Sequence, residues 1–397
     1  MDPAVHLPAE LLQHIFTFIS SSKSAPAVLK LREVSKTWAA QIEGIAFTGT
    51  PQFWTDDVNL IDFSTKMLQI IAVHAHCDAI PGSDWLSANA ELTAKLNRAA
   101  AFITCLQVTI NNNTESFQLL QVAHPNLRKL CLRFDRGTHS TAPKNGESVV
   151  LTCLNQANFP QLCSLHLENP TMTFMASLSK AAYLPPLVEF CVTYNDGQQM
   201  DGDPLATICT RLAPTLKTLI VKCTHLGELS HGFHKATLPN LEDLALISQY
   251  DEGSTAFPIR IIAPKVKRLY LERWSEDLEF GEIDFSTVTV FIDKAFIIKT
   301  VDILQLFPVV ETLVIDNAAE FGEIKAHLKT MPAFCPYLTL IKYLGKPTEV
   351  AAETFERGNH VKVVMEVEPF NFAVIKVFQR KQIWGCDGCS ALDGKSH

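Results

Sequence analysis

The sequence lacks the features that would assign the chain to a membrane or to nucleic acid. No run of about 18 apolar residues occurs, so no transmembrane helix is expected. The first residues lack the basic segment and unbroken apolar segment of a signal peptide. Lys and Arg number 34 against 42 Asp and Glu, for a net charge of −8, and they form no cluster. We therefore expect a cytoplasmic and/or nuclear protein with no membrane and no nucleic-acid partner.

The sequence also lacks the short motifs that carry chemistry. It contains no Gly-x-Ser-x-Gly, no P-loop, no Gly-x-Gly-x-x-Gly and no His-Glu-x-x-His. "HAHCD" at 74–78 has metal-type residues, but no second half of a tetrahedral site is found. Cys386 and Cys389 form a lone Cys-x-x-Cys without a partner pair. We expect no catalytic residue, no cofactor and no metal, and hence a protein that is not an enzyme.

Disulfides are a further expected absence. The 11 cysteines are scattered, mostly inside apolar stretches such as "FITCLQVTI", "LRKLCLRF" and "PQLCSLHL". Cysteines in such surroundings behave as small buried hydrophobes, whereas a disulfide framework is typical of small secreted chains. The pattern indicates reduced, buried thiols. With 47% hydrophobic residues, the chain has ample material for a core.

What the sequence does have is one recurring phrase, Pro-x-Leu-x-x-Leu-x-Leu. Eight copies start at a proline: Pro125, Pro160, Pro185, Pro214, Pro239, Pro264, Pro308 and Pro336. Two weaker copies lack the proline and start at Ala101 and Ser286. Successive starts lie 24, 35, 25, 29, 25, 25, 22, 22 and 28 residues apart. Recurrence at such a period indicates a repeat architecture, and disfavours an ordinary α/β domain with coincidental Leu-x-Leu strands.

Each repeat is predicted to hold one strand and one return. The Leu-x-Leu end of the phrase has period two, which is typical of a short strand with two side chains facing inward. Segments between the phrases, such as "TFMASLSKAA", "PLATICTRL" and "EIKAHLKTM", carry apolar residues three or four apart, as helices do. One strand and one helical or irregular return, repeated about ten times, predicts an α/β solenoid.

The phrase resembles the leucine-rich repeat. In that family an Asn or Cys two residues past the last strand Leu often bonds the buried turns. Asn169, Cys223 and Asn317 occupy this position in three repeats, and other residues occupy it elsewhere. The resemblance is therefore to a degenerate form, and it implies a horseshoe-like, irregular solenoid with a parallel sheet on its concave side.

The N-terminal segment has a different pattern. In "VHLPAELLQHIFTFI", apolar residues from Leu7 to Ile19 form a broad stripe along one predicted helix, and Pro8 suits its first turn. A second periodic run extends from Val28 to Ile42. A unit of about 40 residues buries its own apolar surface poorly, so part of the stripe must pack on the repeats or on another protein.

This segment resembles an F-box, whose usual form is Leu-Pro-x-Glu-Leu-Leu-x-x-Ile-Phe, a spacer, and Leu-x-x-Val-Ser-Lys-x-Trp. "LPAELLQHIF" and "LREVSKTW" match it in order and spacing. The following stretch, "IAFTGTPQFWTDDVNL", is similar to the segment after the box in many fungal members. The resemblance implies docking on the adaptor subunit of an SCF-type cullin ubiquitin ligase. The residues that would supply or support the adaptor face are Leu7, Pro8, Leu11, Leu12, Ile15, Phe16, Val34 and Trp38.

A target protein would then bind the outward face of the repeat sheet. The central outward positions are Gln107, Cys131, His166, Cys191, Ile220, Ala245, Tyr270, Ile292, Val314 and Lys342. Exposed aliphatic residues beside Arg and Tyr are typical of binding patches, so the candidate target-binding residues are His166, Glu168, Ile220, Arg268, Tyr270, Glu272 and Ile292. Loops or the segment "HVKVVMEVEPFNFAVIKVF" could instead cover this face and make these residues core.

Four regions follow from these patterns. They are an F-box unit at 1–47, a linker or cap at 48–100, a leucine-rich-repeat-like solenoid at 101–370, and a C-terminal cap and tail at 371–397. The function that the resemblance implies is the substrate-recognition subunit of an SCF-type ligase, with the adaptor, through it the cullin, and an unidentified target as partners. The alternative is a repeat scaffold that binds the adaptor without directing degradation.

Overall fold

A computed structural model of the chain describes part of its length. The described residues are 52–53, 72–75, 100, 105–110, 120, 123–134, 151–194, 202–223, 234–248, 259–272, 282–283, 285–294, 304–315, 318–331, 335–343, 354–355 and 361–365. The chain divides into two compact units. The first is Met1–Leu167 with Ala181–Pro185, and the second is Glu168–Lys180 with Pro186–His397.

The first unit contains a parallel sheet. Its strands are β1 (Gln52–Phe53), β2 (Ala72–Ala75), β3 (Cys105–Ile110), β4 (Lys129–Phe134) and β5 (Ser164–Glu168, with its last residue in the second unit). They lie side by side in chain order, and β1 to β4 are parallel throughout. Strands β1 and β2 fall in the segment predicted as a linker or cap. They extend the sheet beyond the first repeat phrase.

The second unit contains a larger sheet and three described helices. In chain order the elements are α1 (Met172–Lys180), β6 (Glu189–Thr193), α2 (Gly202–Leu212), β7 (Thr218–Cys223), β8 (His234–Thr237), β9 (Asp243–Ser248), β10 (Ile259–Ala263), β11 (Arg268–Glu272), β12 (Glu282–Ile283), a 3-10 turn (Phe285–Thr287), β13 (Val290–Lys294), β14 (Thr312–Ile315), α3 (Ala318–Thr330), β15 (Leu340–Tyr343), β16 (Thr354–Phe355) and β17 (Val361–Met365). The main sheet has the order β6-β7-β9-β11-β13-β14-β15-β17-β16, and a small parallel sheet has the order β12-β10-β8. The predicted α/β class with a large parallel sheet is confirmed.

At most of the repeat phrases whose start the structure describes, a turn is followed by a strand. In the phrase at Pro125, the Leu127 N–H donates to the His124 carbonyl at 3.1 Å, which closes a β-turn with proline at its second position. Proline fixes φ near the value that this position requires. The same bond recurs from Leu241 to Leu238 at 3.2 Å and from Leu338 to Cys335 at 3.1 Å. The proline therefore marks where one return ends and the next strand is about to begin.

A ladder of main-chain hydrogen bonds fixes the register between repeats. The carbonyl just before each strand accepts two N–H groups from the next repeat, and the acceptors in the second unit are Val188, Lys217, Glu242, Lys267, Thr289 and Glu311. For example, Lys217 and Thr218 donate to Val188 at 2.9 and 3.0 Å. These hydrogen-bonded positions recur at the same place in each phrase, although the repeats differ in length. The register predicted from the phrase is confirmed in this unit.

The two leucines of each phrase face the core under the returns. Leu219 with Val221, Leu244 with Leu246, and Leu269 with Leu271 are buried. Burial of such a side chain is worth roughly 1.5–3 kcal/mol, and side chains two apart on a strand share a face. The same column continues through Phe291, Leu313 and Ile341.

Helical returns have recognisable ends and contacts. The Thr171 hydroxyl caps α1 by accepting the Phe174 N–H at 3.0 Å. At the other end of α1, the guanidinium of Arg211 on α2 donates to the Ser179 carbonyl at 2.9 Å and to that of Leu178 at 3.4 Å. A cation at a helix C-terminus satisfies free carbonyls and complements the helix dipole. Helices α1, α2 and α3 confirm three of the expected helical returns.

Other returns take a form that the sequence pattern did not predict. Between β7 and β13 they contain the short strands β8, β10 and β12, which pair in parallel with one another. The C-terminal segment also differs from expectation. Residues Val361–Met365 form β17, which continues the main sheet beside β15 and does not serve, over those residues, as a cover for its face. A strand edge next to β15 offers main-chain hydrogen bonds that a covering loop would lack.

The buried position that the leucine-rich-repeat resemblance assigns to Asn or Cys is partly described. Asn169 is buried and lies at φ 54, a left-handed conformation that Asn tolerates better than most residues. Its N–H donates to the Thr193 carbonyl at 2.7 Å, and at the equivalent place Tyr194 donates to Lys222 at 2.7 Å. Cys223 is the last residue of β7, and Asn317 lies outside the described residues.

Six cysteines whose side chains are described are free thiols, and five of them are buried: Cys131, Cys153, Cys191, Cys209 and Cys335. The expected burial of the thiols is confirmed at these five positions. Within the described ranges, no helix has the length and apolarity to span a membrane, and no group of three or more His, Cys, Asp or Glu residues could hold a metal ion.

Candidate protein-binding face

Three rows of side chains cross the outward face of the sheet in the second unit. The first row, at the strand starts, is Glu189, Thr218, Asp243, Arg268, Val290, Thr312 and Leu340. The middle row is Cys191, Ile220, Ala245, Tyr270, Ile292, Val314 and Lys342. The last row is Thr193, Lys222, Ile247 and Glu272. Residues two apart on each strand point to the same face, so the rows share one side of the sheet.

The middle row is a core and not an exposed patch. Ile220 and Ile292 have 0% exposure and Tyr270 has 3%, and they form one apolar cluster with Cys191, Ala245, Ile247 and Val314. Burial also raises the pKa of the Cys191 thiol, chiefly because a thiolate would lose its hydration. The expectation that Ile220, Tyr270 and Ile292 are exposed is therefore wrong. The other possibility, that this face is covered, is correct for these residues.

The first row contains a charge pair. Asp243, with a side chain only 4% exposed, receives the Nε–H of Arg268 on one oxygen and Nη2 on the other at 2.6 Å. The Thr218 hydroxyl donates to the same carboxylate at 3.1 Å. A carboxylate out of water needs such partners, because an unpaired buried charge is strongly unfavourable. The arrangement fixes the Arg268 side chain in one orientation.

The last row is partly accessible. The Tyr270 hydroxyl donates to the Glu272 carboxylate at 2.5 Å. This hydrogen bond connects the buried Tyr270 side chain of the middle row to the last row. Lys222 and Glu272 are half-buried, whereas Ile247 between them is buried.

Accessibility increases along the first row. Glu189 is 8% exposed and Asp243 is 3% exposed, but the Arg268 side chain is 33% exposed. Val290, Thr312 and Leu340, the next three members of the row, are half-buried, as is Lys342 in the middle row. The sequence pattern did not single out Val290, Thr312 and Leu340. They can be recognised only from the sheet, because strand pairing aligns them with Arg268.

In the first unit, the predicted residue His166 is also buried, with 7% exposure, which contradicts the expectation that it is accessible. Its Nδ1 lies 3.7 Å from the Cys131 Sγ on the neighbouring strand. A buried imidazole needs a polar partner, and the thiol supplies a weak one. Glu168, at the end of β5, is half-buried. Of the seven predicted target-binding residues, Glu168, Arg268 and Glu272 are thus at least partly accessible.

The predicted adaptor-binding residues lie outside the described residues. These are Leu7, Pro8, Leu11, Leu12, Ile15, Phe16, Val34 and Trp38, together with the whole 1–47 unit. The tail at 371–397 with Cys386 and Cys389 also lies outside them. Their roles stay predictions.

Neither a protein-family model nor a curated protein sequence matches the chain. Among solved structures, the chain is similar to the crystal structure of the Rad7 and Elc1 complex from yeast, at 12% identity and a TM-score of 0.34, over 90% of this chain and 92% of the other. A TM-score of that size carries no conclusion about a shared fold or function. The fold and the candidate face therefore rest on the residues of this chain.

Proposed function

We propose that this chain is a non-catalytic substrate receptor of an SCF-type cullin ubiquitin ligase. Residues 1–47 would dock on the adaptor subunit, and through it on the cullin, while the repeats bind a target protein. The receptor would work in the cytoplasm and/or the nucleus, and it would supply geometry instead of chemistry. Its task would be to hold the target near the ubiquitin-charged enzyme.

One observation carries the proposal. The F-box phrase, "LPAELLQHIF" followed by "LREVSKTW", stands ahead of a chain of repeats whose strands form a large parallel sheet. An apolar stripe on a unit of about 40 residues needs a partner surface, and a repeat sheet provides a long surface that can differ from protein to protein. The two parts together suit a protein with two interfaces.

The adaptor interface is tested with a double substitution on the predicted stripe. The purified full chain should form a stable complex with the adaptor subunit, measured by calorimetry or size-exclusion chromatography. Leu11→Asp with Ile15→Asp should abolish that complex, because two carboxylates in an apolar interface would lose their hydration without gaining partners. Stable binding by this variant would contradict the proposal.

A matched control uses the opposite side of the same predicted helix. Gln13 and Thr17 are also four residues apart but lie away from the Leu11 side of the stripe. Gln13→Asp with Thr17→Asp adds the same charge and should leave adaptor binding unchanged. If both double variants lose binding equally, the effect comes from helix disruption and the stripe is not shown to be the interface.

A further inference from the structure

Arg268 is held by one edge of its guanidinium group. The Nε–H and one Nη2–H bind the two oxygens of Asp243, which is itself fixed by the Thr218 hydroxyl at 3.1 Å. Such a two-point grip sets the plane and the direction of the guanidinium. A side chain positioned in this way loses little conformational entropy when it binds a further group.

The opposite edge of the guanidinium, formed by Nη1 and the second Nη2–H, has no acceptor among the described residues. Arg211 in the same unit is different, because its Nη1 donates to the carbonyls of Leu178 and Ser179. The Arg268 side chain is 33% exposed, in contrast to the 4% of Asp243. Arg211 connects two helices, whereas the partly exposed Arg268 keeps a second pair of donors without an acceptor in the described part of the chain.

The chemistry of this edge favours a carboxylate. Two parallel N–H groups match the two oxygens of a planar carboxylate. Asp243 balances the charge of Arg268. A second carboxylate, that of Glu272, lies on the same strand and face as Arg268 and accepts a hydrogen bond from the Tyr270 hydroxyl at 2.5 Å. A phosphate dianion would meet these two carboxylates with a larger charge. A monoanion gains the paired hydrogen bonds with less repulsion.

The row beyond Arg268 supplies the rest of a binding strip. Val290, Thr312 and Leu340 follow it on successive parallel strands and are half-buried. Strands are about 4.8 Å apart, so Leu340 lies roughly 14 Å from Arg268 along the row. An extended peptide rises about 3.3 Å per residue, so its fifth side chain lies roughly 13 Å from its first, on the same face. The length of the row from Arg268 to Leu340 therefore matches the distance between the first and fifth side chains of an extended peptide.

We propose that Arg268 binds a carboxylate of an extended target segment that crosses the strands along the first row. Apolar side chains two and four residues from the acidic residue then lie over Val290 and Thr312, and over Leu340. The recognised pattern is acidic-x-apolar-x-apolar. This inference rests on the proposed function only in treating the bound segment as part of the target; it does not depend on the adaptor.

The test uses the full chain and three synthetic peptide pools, followed by fluorescence anisotropy. Pool one has the acidic-x-apolar-x-apolar pattern with both ends blocked. Pool two replaces the acidic residue by its amide. Pool three carries the two apolar residues ahead of a free terminal carboxylate and has no acidic side chain. Pool one should bind at least about tenfold more tightly than pool two, the difference expected when a bidentate carboxylate pair is lost.

Two variants assign the effect to Arg268. Arg268→Lys keeps a cation beside Asp243 but lacks the second pair of donors, so binding of pool one should fall to the level of pool two. Lys267→Gln, which removes an exposed neighbouring cation, should leave binding unchanged. If Arg268→Lys fails to fold, Asp243→Asn with Arg268→Gln removes both charges and should give the same loss.

The outcomes separate clearly. Arg268-dependent binding of pool three instead of pool one supports carboxylate recognition and identifies a chain terminus as its source. Equal binding of pools one and two, no binding of any pool, or full binding by a folded Arg268→Lys variant overturns the inference. Because adaptor binding is measured separately with the Leu11 and Ile15 variants, failure here leaves the proposed function standing, and failure there leaves this site standing.

Discussion

The two faces of the sheet in the second unit differ in their sequence but are similar in their burial. The face under the returns is built from the regular Leu-x-Leu pairs, such as Leu244 with Leu246. The opposite face mixes an apolar middle row with the Asp243–Arg268 pair and the Tyr270–Glu272 contact. Both faces are largely buried at their centre, whereas the first row of the opposite face becomes partly accessible at Arg268 on β11 and stays half-buried at Val290 and Thr312.

This difference teaches where binding can occur on a repeat sheet. A face that is buried at its middle row contributes to stability there, and only its accessible margin can meet a partner. Along this sheet the margin is the end of the first row and part of the last row. The part of this face that could meet a partner is therefore narrower than the sequence repeat alone would indicate.

The largest expected effect tests whether the two faces are equivalent cores. Leu269→Ala, on the face under the returns, and Ile292→Ala, in the middle row, should each lower the free energy of unfolding by about 2–5 kcal/mol, because each leaves a cavity among buried side chains. Denaturant unfolding followed by circular dichroism measures both. A cost below about 1 kcal/mol for Ile292→Ala alone would show that the middle row is not a core.

A smaller effect is expected for the charge pair that separates the buried and accessible parts of the first row. Arg268→Ala should cost about 1–3 kcal/mol of unfolding free energy, because it leaves the Asp243 carboxylate buried with Thr218 as a hydroxyl partner. The one-third exposure of Arg268 keeps the value below that of a fully buried pair. Asp243→Asn in the same background should recover part of the loss. An unchanged stability of Arg268→Ala would indicate that Asp243 is well hydrated.

The smallest effect is expected at the exposed rim of the sheet. The Glu242 carboxylate oxygens lie 3.4 Å from the Nζ atoms of Lys217 and Lys267. Both lysines lower the pKa of the Glu242 carboxyl, and the hydrogen bond from Lys217 has the largest effect. A lowered pKa stabilises the fold above the unfolded pKa, and the contribution is lost as the pH falls through the folded pKa. Because the groups are exposed, Glu242→Gln should cost below about 0.5 kcal/mol, and less at high salt. A larger, salt-independent cost would contradict this.

The sequence predicted the strands well because the phrase acts locally. Proline suits the second position of the turn that opens most of the described phrases, and the alternation after it gives the strand and its two faces. Tyr270, Ile220 and Ile292 were accordingly placed in one row, and strand pairing confirms that row. Local turn chemistry and period-two alternation therefore account for the register.

Exposure was predicted less well, because it depends on what packs over a strand. The period-two pattern identifies one buried face and leaves the other undetermined. A signal was present in the runs "TLIV", "LALI" and "TLVI", since parallel strands buried on both faces are nearly continuous in apolar residues. Likewise, the isoleucines of "IRIIA" favour the short strand β10 over a helical return. The ion pair of Arg268 with Asp243 depends on which strands are neighbours in the sheet, and a local sequence pattern does not predict this.

The central claim is that the chain brings a target to a ubiquitin ligase, and protein turnover tests it most directly. Half-lives would be compared across the proteome in cells that express the full chain and in cells that express a chain lacking residues 1–45. We expect at least one protein, bound by the repeats in both cases, to be degraded with the full chain and to have a longer half-life with the truncated one. If every protein that the repeats bind keeps the same half-life, the chain is a scaffold and the receptor function is contradicted.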